Sequence, residues 1–501
     1  MPAIVTQNFK ARQVDAFLTE LDANSAYMFI GNPYPWEDEF NPPMPVDNDG
    51  ASFNIWDRIY GVIQIPASNY TKVIRRRNWV TDTVYDYYST DMGPIAETNF
   101  YVMTANFQVY KCLWNNNGAV STIEPTGTAP TLETADGYIW AYMYQIGTQD
   151  AQTFLTPEYM PVLIENQVQT NADNTAGQVT AVKVDTPGSG YLSINFIGGT
   201  AIDGDEAEAW AEVTGGEITA VHVVNGGNYS TLPTDVTATG ADGAGATFTI
   251  STAGSAVTDV GVSNGGSGYV QPEIVKVAFS GELFEAIPIT KNNQLHRVLV
   301  TNNGSGYTYL SLSVTGGTGG TVTPVLSPVE GHGFDAEIEL GATNIMFSTT
   351  LAPADMEGFL PPSNRYRDVG IIINPGTYEN PAVPYAMPVG TNIIKVKQVA
   401  STADVFQQND LVSVTATGAQ ARVVYWDNTA GEVWLIRTLQ ENFIPFNPGD
   451  ILTGTGKSIE ILEVSTPDVA KYSGEIQYIE TREPIQRTAS QFEEIKIVIE
   501  F

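Results

Sequence analysis

Three histidines, one cysteine and 23 lysines and arginines are unusually few for a chain of 501 residues. Cys112, standing alone, can form neither an intrachain disulfide nor a multi-cysteine zinc site, so the fold is expected to stand without covalent staples and to suit a reducing compartment. His222, His296 and His332 show neither HExxH nor i, i+4 spacing, and no metal or cofactor site is expected of them. The basic residues are outnumbered by 56 Asp and Glu, for a net charge of −33. A field of that sign repels phosphate, which argues against a nucleic-acid partner and against an anionic membrane surface. No segment approaches eighteen consecutive apolar residues, and MPAIVTQNFKARQ at the amino terminus lacks the apolar stretch of a secretory signal. The expectation is a protein made and kept in soluble form. GxSxG is also missing, and no Gly-Lys-Ser/Thr follows the glycine-rich turns, so neither a nucleophile elbow nor a phosphate loop is expected.

What the chain does hold is 43% hydrophobic residues, arranged in two textures. Residues 1–165 are rich in aromatics, with one helical pattern at Asn8–Leu21 and strand-like runs after it, such as 27–30, 107–113 and 138–146. From 166 to 330 Gly, Thr, Val and Asn take over, and a unit repeats: AVKVDTPGSGY, AVHVVNGGNY, DVGVSNGGSGY and RVLVTNNGSGY end at Tyr191, Tyr229, Tyr269 and Tyr307, at spacings of 38, 40 and 38 residues. Each reads as an alternating strand, a glycine turn and a tyrosine leading into the next strand. The first texture returns over 331–376. Residues 377–467 then carry compact strands at the spacing of a small barrel, and 468–501 end in EIKIVIEF with Ile495, Ile497, Ile499 and Phe501 on one face. The expected fold class is mainly β: a discontinuous sandwich-like core (1–165, 331–376, 468–501) carrying a Gly-rich repeated β insertion (166–330) and a small barrel-like insertion (377–467).

Charged residues offer few constellations. Asp335, Glu337 and Glu339 alternate as on one face of a strand. Asp47 and Asp49 begin like a calcium loop, but Ala51 stands at the third ligand position; Asp203, Asp205 and Glu206 form at most a weak calcium cluster. The most informative feature is a basic island in an acidic chain, Lys72, Arg75, Arg76 and Arg77 followed by Trp79. It reads either as a loop neutralised by acids such as Asp82 and Asp86 or as an anchor for an acidic partner, because Arg and Trp are enriched at interface hot spots.

YMFIGNPYPW at 27–36, VIRRRNW at 73–79, FQVYKCL at 107–113, DGYIWAYMYQI at 136–146, YRDVGIIINP at 366–375, SGEIQYIETREPI at 473–485 and the terminal FEEIKIVIEF together resemble the baseplate wedge subunits of T-even-type contractile-tailed phages, the gene 8 product family. That resemblance covers about half the chain and leaves out both insertions. It implies a non-enzymatic virion protein of the tail baseplate, assembled in host cytoplasm, forming a homodimer and contacting neighbouring wedge subunits. It further implies a rearrangement on host attachment that allows sheath contraction. Two other classes compete: a receptor- or glycan-binding tail adhesin, in which 166–330 would contact saccharide, and a glycan-cleaving tail enzyme built on a carboxylate pair.

Overall fold

The computed structural model describes residues 3–501 apart from 91, 96, 174, 175, 177, 241, 329, 400–405, 439, 440 and 489. The fold is mainly β and antiparallel, in two compact units: Met1–Val73, Gln152–Leu155 and Thr343–Phe501 form one, and Ile74–Ala151 with Thr156–Ala342 the other. These boundaries differ from the changes in composition. The aromatic strands Gln108–Asn115 and Tyr138–Gln145, read from sequence as part of one core with the amino-terminal helix, belong to the second unit. Their apolar faces pack against Val168, Ala181 and Val325, all beyond the point where the composition shifts.

In the first unit the expected helix spans Gln7–Ala23, capped by the Thr6 hydroxyl accepting from the Phe9 amide, and buries Val14 and Leu21. A five-stranded sheet runs in the order Val389–Thr391, Ile59–Gln64, Ala26–Gly31, Arg365–Ile373, Glu475–Gln486. Strand alternation divides Ala26–Gly31 between two cores. Met28 and Ile30 face Ile345, Phe347, Ile495 and Ile497 of a second sheet, while Tyr27 and Phe29 face Ile55 and Trp56. Burial on both faces explains why this strand has no polar alternation to read. Ile55 and Trp56 lie on a helix, Asp49–Arg58, where the sequence suggested only strands; Asn48 caps it, its side-chain oxygen accepting from the Ala51 amide at 2.8 Å. The carboxy-terminal strand Glu493–Glu500 pairs along its full length with Asn344–Leu351. Within 377–467 six strands close a barrel filled by Val396, Val412, Val423, Leu435, Leu452 and Ile461.

In the second unit the four tyrosines that end the repeats are all buried. Each repeat is a hairpin whose second strand runs into a glycine turn. Three hairpins are local: Glu208–Thr214 with Glu217–Asn225, Ala244–Ala253 with Ala256–Ser267, and Glu285–Lys291 with Gln294–Asn302. The fourth joins the two ends of the region, since Thr318–Leu326 pairs with Val179–Ser189. In three turns an asparagine side chain accepts from the glycine amide two residues on (Asn225 from Gly227, Asn264 from Gly266, Asn302 from Gly304), each at 3.0 Å. Those glycines and Gly188 hold φ between 62° and 68°, a conformation that side chains avoid. The tyrosine ring then fills the space a side chain would occupy: a Cβ on Gly243 would stand 2.1 Å from the Tyr269 ring, and one on Gly281 2.6 Å from that of Tyr307. The repeat is legible because the turn and its tyrosine lie in one local motif, although Gly243 and Gly281 lie outside it.

Candidate interaction surface

The basic island does not act as a block. Lys72, in the first unit, lies in the strand Tyr70–Arg75, and its ammonium contacts the Asp15 carboxylate at 2.5 Å. Arg75 to Arg77 and Trp79 belong to the second unit. Arg75 is the most exposed of them; its guanidinium lies 4.5 Å over the Tyr159 ring and 3.6 Å from Glu158. Arg76 donates to the Thr156 carbonyl and to Asn78, while Arg77 donates to Asn99 and covers the Tyr101 ring at 5.4 Å. Trp79 turns inward, its indole N–H donating to the Ser121 hydroxyl at 3.1 Å. Arg75 is therefore the exposed member of the island, while Arg76, Arg77 and Trp79 bond within their own unit.

The other acids and histidines settle differently from their sequence patterns. Asp335, Glu337 and Glu339 do not share a strand face: Asp335 caps a short helix, Ala336–Glu339, by accepting from the Ile338 amide. Capping by Asp wins over the alternation because the chain turns there. Glu339 points inward to Lys111, both buried, and also accepts from the Gly333 amide. Burial, and secondarily the Lys111 charge, hold the His332 imidazole well below its ordinary range. Asp205 accepts from the Asn225 side chain, and Glu206 pairs with Lys291. Among the described residues no group of three or more His, Cys, Asp or Glu is arranged to hold a metal ion.

A second surface, not singled out in the sequence, lies in the first unit over residues 32–58. The run EDEFNPPMP contains three prolines that a paired strand would not hold, and it leaves the sheet as a loop. The loop is tied down at three points. The Trp36 indole donates to the Arg482 carbonyl, Glu39 takes both Nε and a terminal nitrogen of buried Arg367 at 2.8 and 2.6 Å, and Thr481 donates to the Pro43 carbonyl. Between these ties Phe40 and Met44 stand 85% and 87% exposed. A fixed backbone carrying large exposed apolar side chains avoids the ordering cost that a flexible loop meets on binding. Behind the loop is a cavity of about 600 Å³, walled by Tyr34, Trp36, Met44, Ile55, Arg58 and Arg422. Arg58 lies over the Trp36 ring and pairs at 3.3 Å with Asp368, which is buried; burial pushes that carboxyl up to about 6, although the Arg58 charge opposes it.

In the first unit the tied loop combines exposed apolar anchors with a shaped recess, features that suit contact with another protein. The family model for Bacteriophage T4, Gp8 matches residues 3–118, which contain the tied loop, its cavity-facing helix and the basic island. "Baseplate wedge protein gp8" of Enterobacteria phage T4 is 27% identical over 202 residues, a match taking in 32% of this chain. The chain spans 60% of the length of that relative. Over residues 3–118, then, the chain is similar to the Gp8 family of phage baseplate wedge proteins.

Proposed function

We propose that this protein is a structural subunit of a contractile phage tail baseplate, without catalytic activity, that holds neighbouring wedge subunits together. The match of residues 3–118 to the Gp8 family carries this reading, and the anchored display of Phe40 and Met44 inside the matched segment supports it. In this reading the protein assembles in host cytoplasm, resides in the virion baseplate as a homodimer, and rearranges on host attachment to allow sheath contraction. Lys72, Arg75, Arg76, Arg77 and Trp79 were the sequence-derived contact residues; of these we assign the outward contact to Arg75 and place Phe40 and Met44 beside it in importance. Residues 166–330 and 377–467 are proposed to be insertions that fold on their own. A density map of the assembled tail tests the reading: the chain should trace at the baseplate with Phe40 and Met44 against another subunit. A tail whose baseplate lacks this chain would remove it. A second reading, saccharide contact by 166–330, is favoured by a polar cavity in that region.

A further inference from the structure

That cavity, of about 210 Å³, opens in the glycine-rich repeats among Asn195, Phe196, Glu206, Glu208, Lys291 and His296. Its acids are held in place. Glu208, whose side chain is 17% exposed, has one carboxylate oxygen 3.1 Å from His296 Nε2 and the other 2.5 Å from Arg297 Nε. Burial pushes this carboxyl up, but the His296 contact and the Arg297 charge outweigh it and keep it below the usual range, so it is an ionised acceptor with fixed orientation. Glu206 is paired with Lys291 on the rim.

Alternation along the strand Glu208–Thr214 puts Trp210 and Glu212 on the same outward face as Glu208. Trp210 is stacked on His222 of the neighbouring strand, ring centroids 4.2 Å apart and planes 21° from parallel, and His222 Nε2 reaches Glu212 at 3.4 Å. Two of the chain's three histidines thus each stand against a glutamate of this strand, His296 against Glu208 and His222 against Glu212.

We propose that the cavity and the adjoining Trp210 face bind an uncharged saccharide, one ring in the cavity and the next along the indole. This deepens the second reading above and rests on it. At ~30 Å³ per water the cavity holds about seven waters, the space of a single sugar ring. Oriented carboxylates accept from neighbouring hydroxyls, Lys291 and the Asn195 amide donate, and the indole offers an apolar face to ring C–H groups. An apolar ligand would cover these groups without offering hydrogen bonds to their remaining lone pairs and N–H groups. Three glutamates against Lys291 and Arg297 give the face a slight negative balance, which disfavours an acidic polymer.

The test is calorimetric titration of the full-length protein with neutral oligosaccharides of glucan, galactan and chitin type and with polysialic acid as the charged comparison. At least one neutral oligosaccharide should bind, Trp210→Ala and Glu208→Gln should each weaken it by about tenfold or more, and Trp210→Phe should retain most of the affinity. Should Glu208→Gln fail to fold, hydrogen exchange of the wild-type protein replaces it, with protection expected over 193–201 and 206–212 on adding the bound oligosaccharide. No binding of any neutral oligosaccharide, binding indifferent to Trp210→Ala, or preference for polysialic acid overturns the proposal. Such a failure leaves the baseplate reading standing, because tail density decides that independently.

Discussion

Asp368 is the clearest case of a residue whose role depends on a partner far away in sequence. Its carboxyl is 1% exposed and meets Arg58, 310 positions earlier. Because its folded value, about 6, lies above the ordinary 3.8, the folded protein holds this proton more tightly than the unfolded chain does. The resulting stabilisation is fully present below about pH 4 and is lost as pH rises through about 6. Urea melts of the first unit should therefore show the wild type losing on the order of 3 kcal/mol relative to Asp368→Asn between those limits. A wild-type-minus-variant difference that stays flat across this window would count against the buried, unevenly compensated acid. The glycine turns make the opposite case. Gly243 has ordinary backbone angles available to alanine, but its Cβ would overlap the buried Tyr269 ring, so Gly243→Ala should cost about 1–3 kcal/mol in melts of the second unit. The turn and its tyrosine could be read from sequence, because they recur in each unit; Gly243, on the preceding strand side, could not. The Asp368 pair could not, since only the fold brings its two halves together.

At the level of elements, the sequence was most readable where one face alone is buried. The Gln7–Ala23 helix and the terminal strand both carry such a pattern, and both lie where periodicity put them. Removing residues 494–501 strips one of its two partner strands from Asn344–Leu351 and deletes buried Ile495 and Ile497, each worth about 1.5–3 kcal/mol. The truncated protein should melt at clearly lower temperature or be recovered insoluble; calorimetry that finds the first unit's transition unmoved would contradict this packing. Asp49–Arg58 escaped notice because Gly50 and the polar residues around it dilute the helical period, and only the Asn48 cap marks its start. Asp335–Glu339 misled for the opposite reason. Three acids at alternate positions fit a strand equally well until the local cap decides.

For the whole molecule, the similarity to the Gp8 family lies in residues 3–118, and what the rest adds must be tested by separating it. The seam of the glycine-rich region lies at Gln178 and Ser327, which exchange hydrogen bonds, so an excision of 178–327 cuts between neighbours. A short linker across that gap should leave the first unit, to which none of these residues belongs, with a cooperative melt, as closure cost rises only ~0.6 kcal/mol per doubling of loop length. Arg75→Ala belongs to the same scale: it should leave melting nearly unaltered and slow or weaken incorporation into tails, measured by sedimentation of assembled particles. Loss of folding with incorporation per folded molecule retained would assign Arg75 to its own unit. The seam carries one more consequence, a mechanical one. Val179 pairs with Leu326 and Ser189 with Thr318, so the chain enters and leaves the repeats at the same end of one antiparallel pair. Tension applied through the chain on either side would open that pair like a zipper, one rung at a time, instead of shearing all rungs together. The repeats would then yield at low force and refold when slack returned, making them an extensible element within the polypeptide.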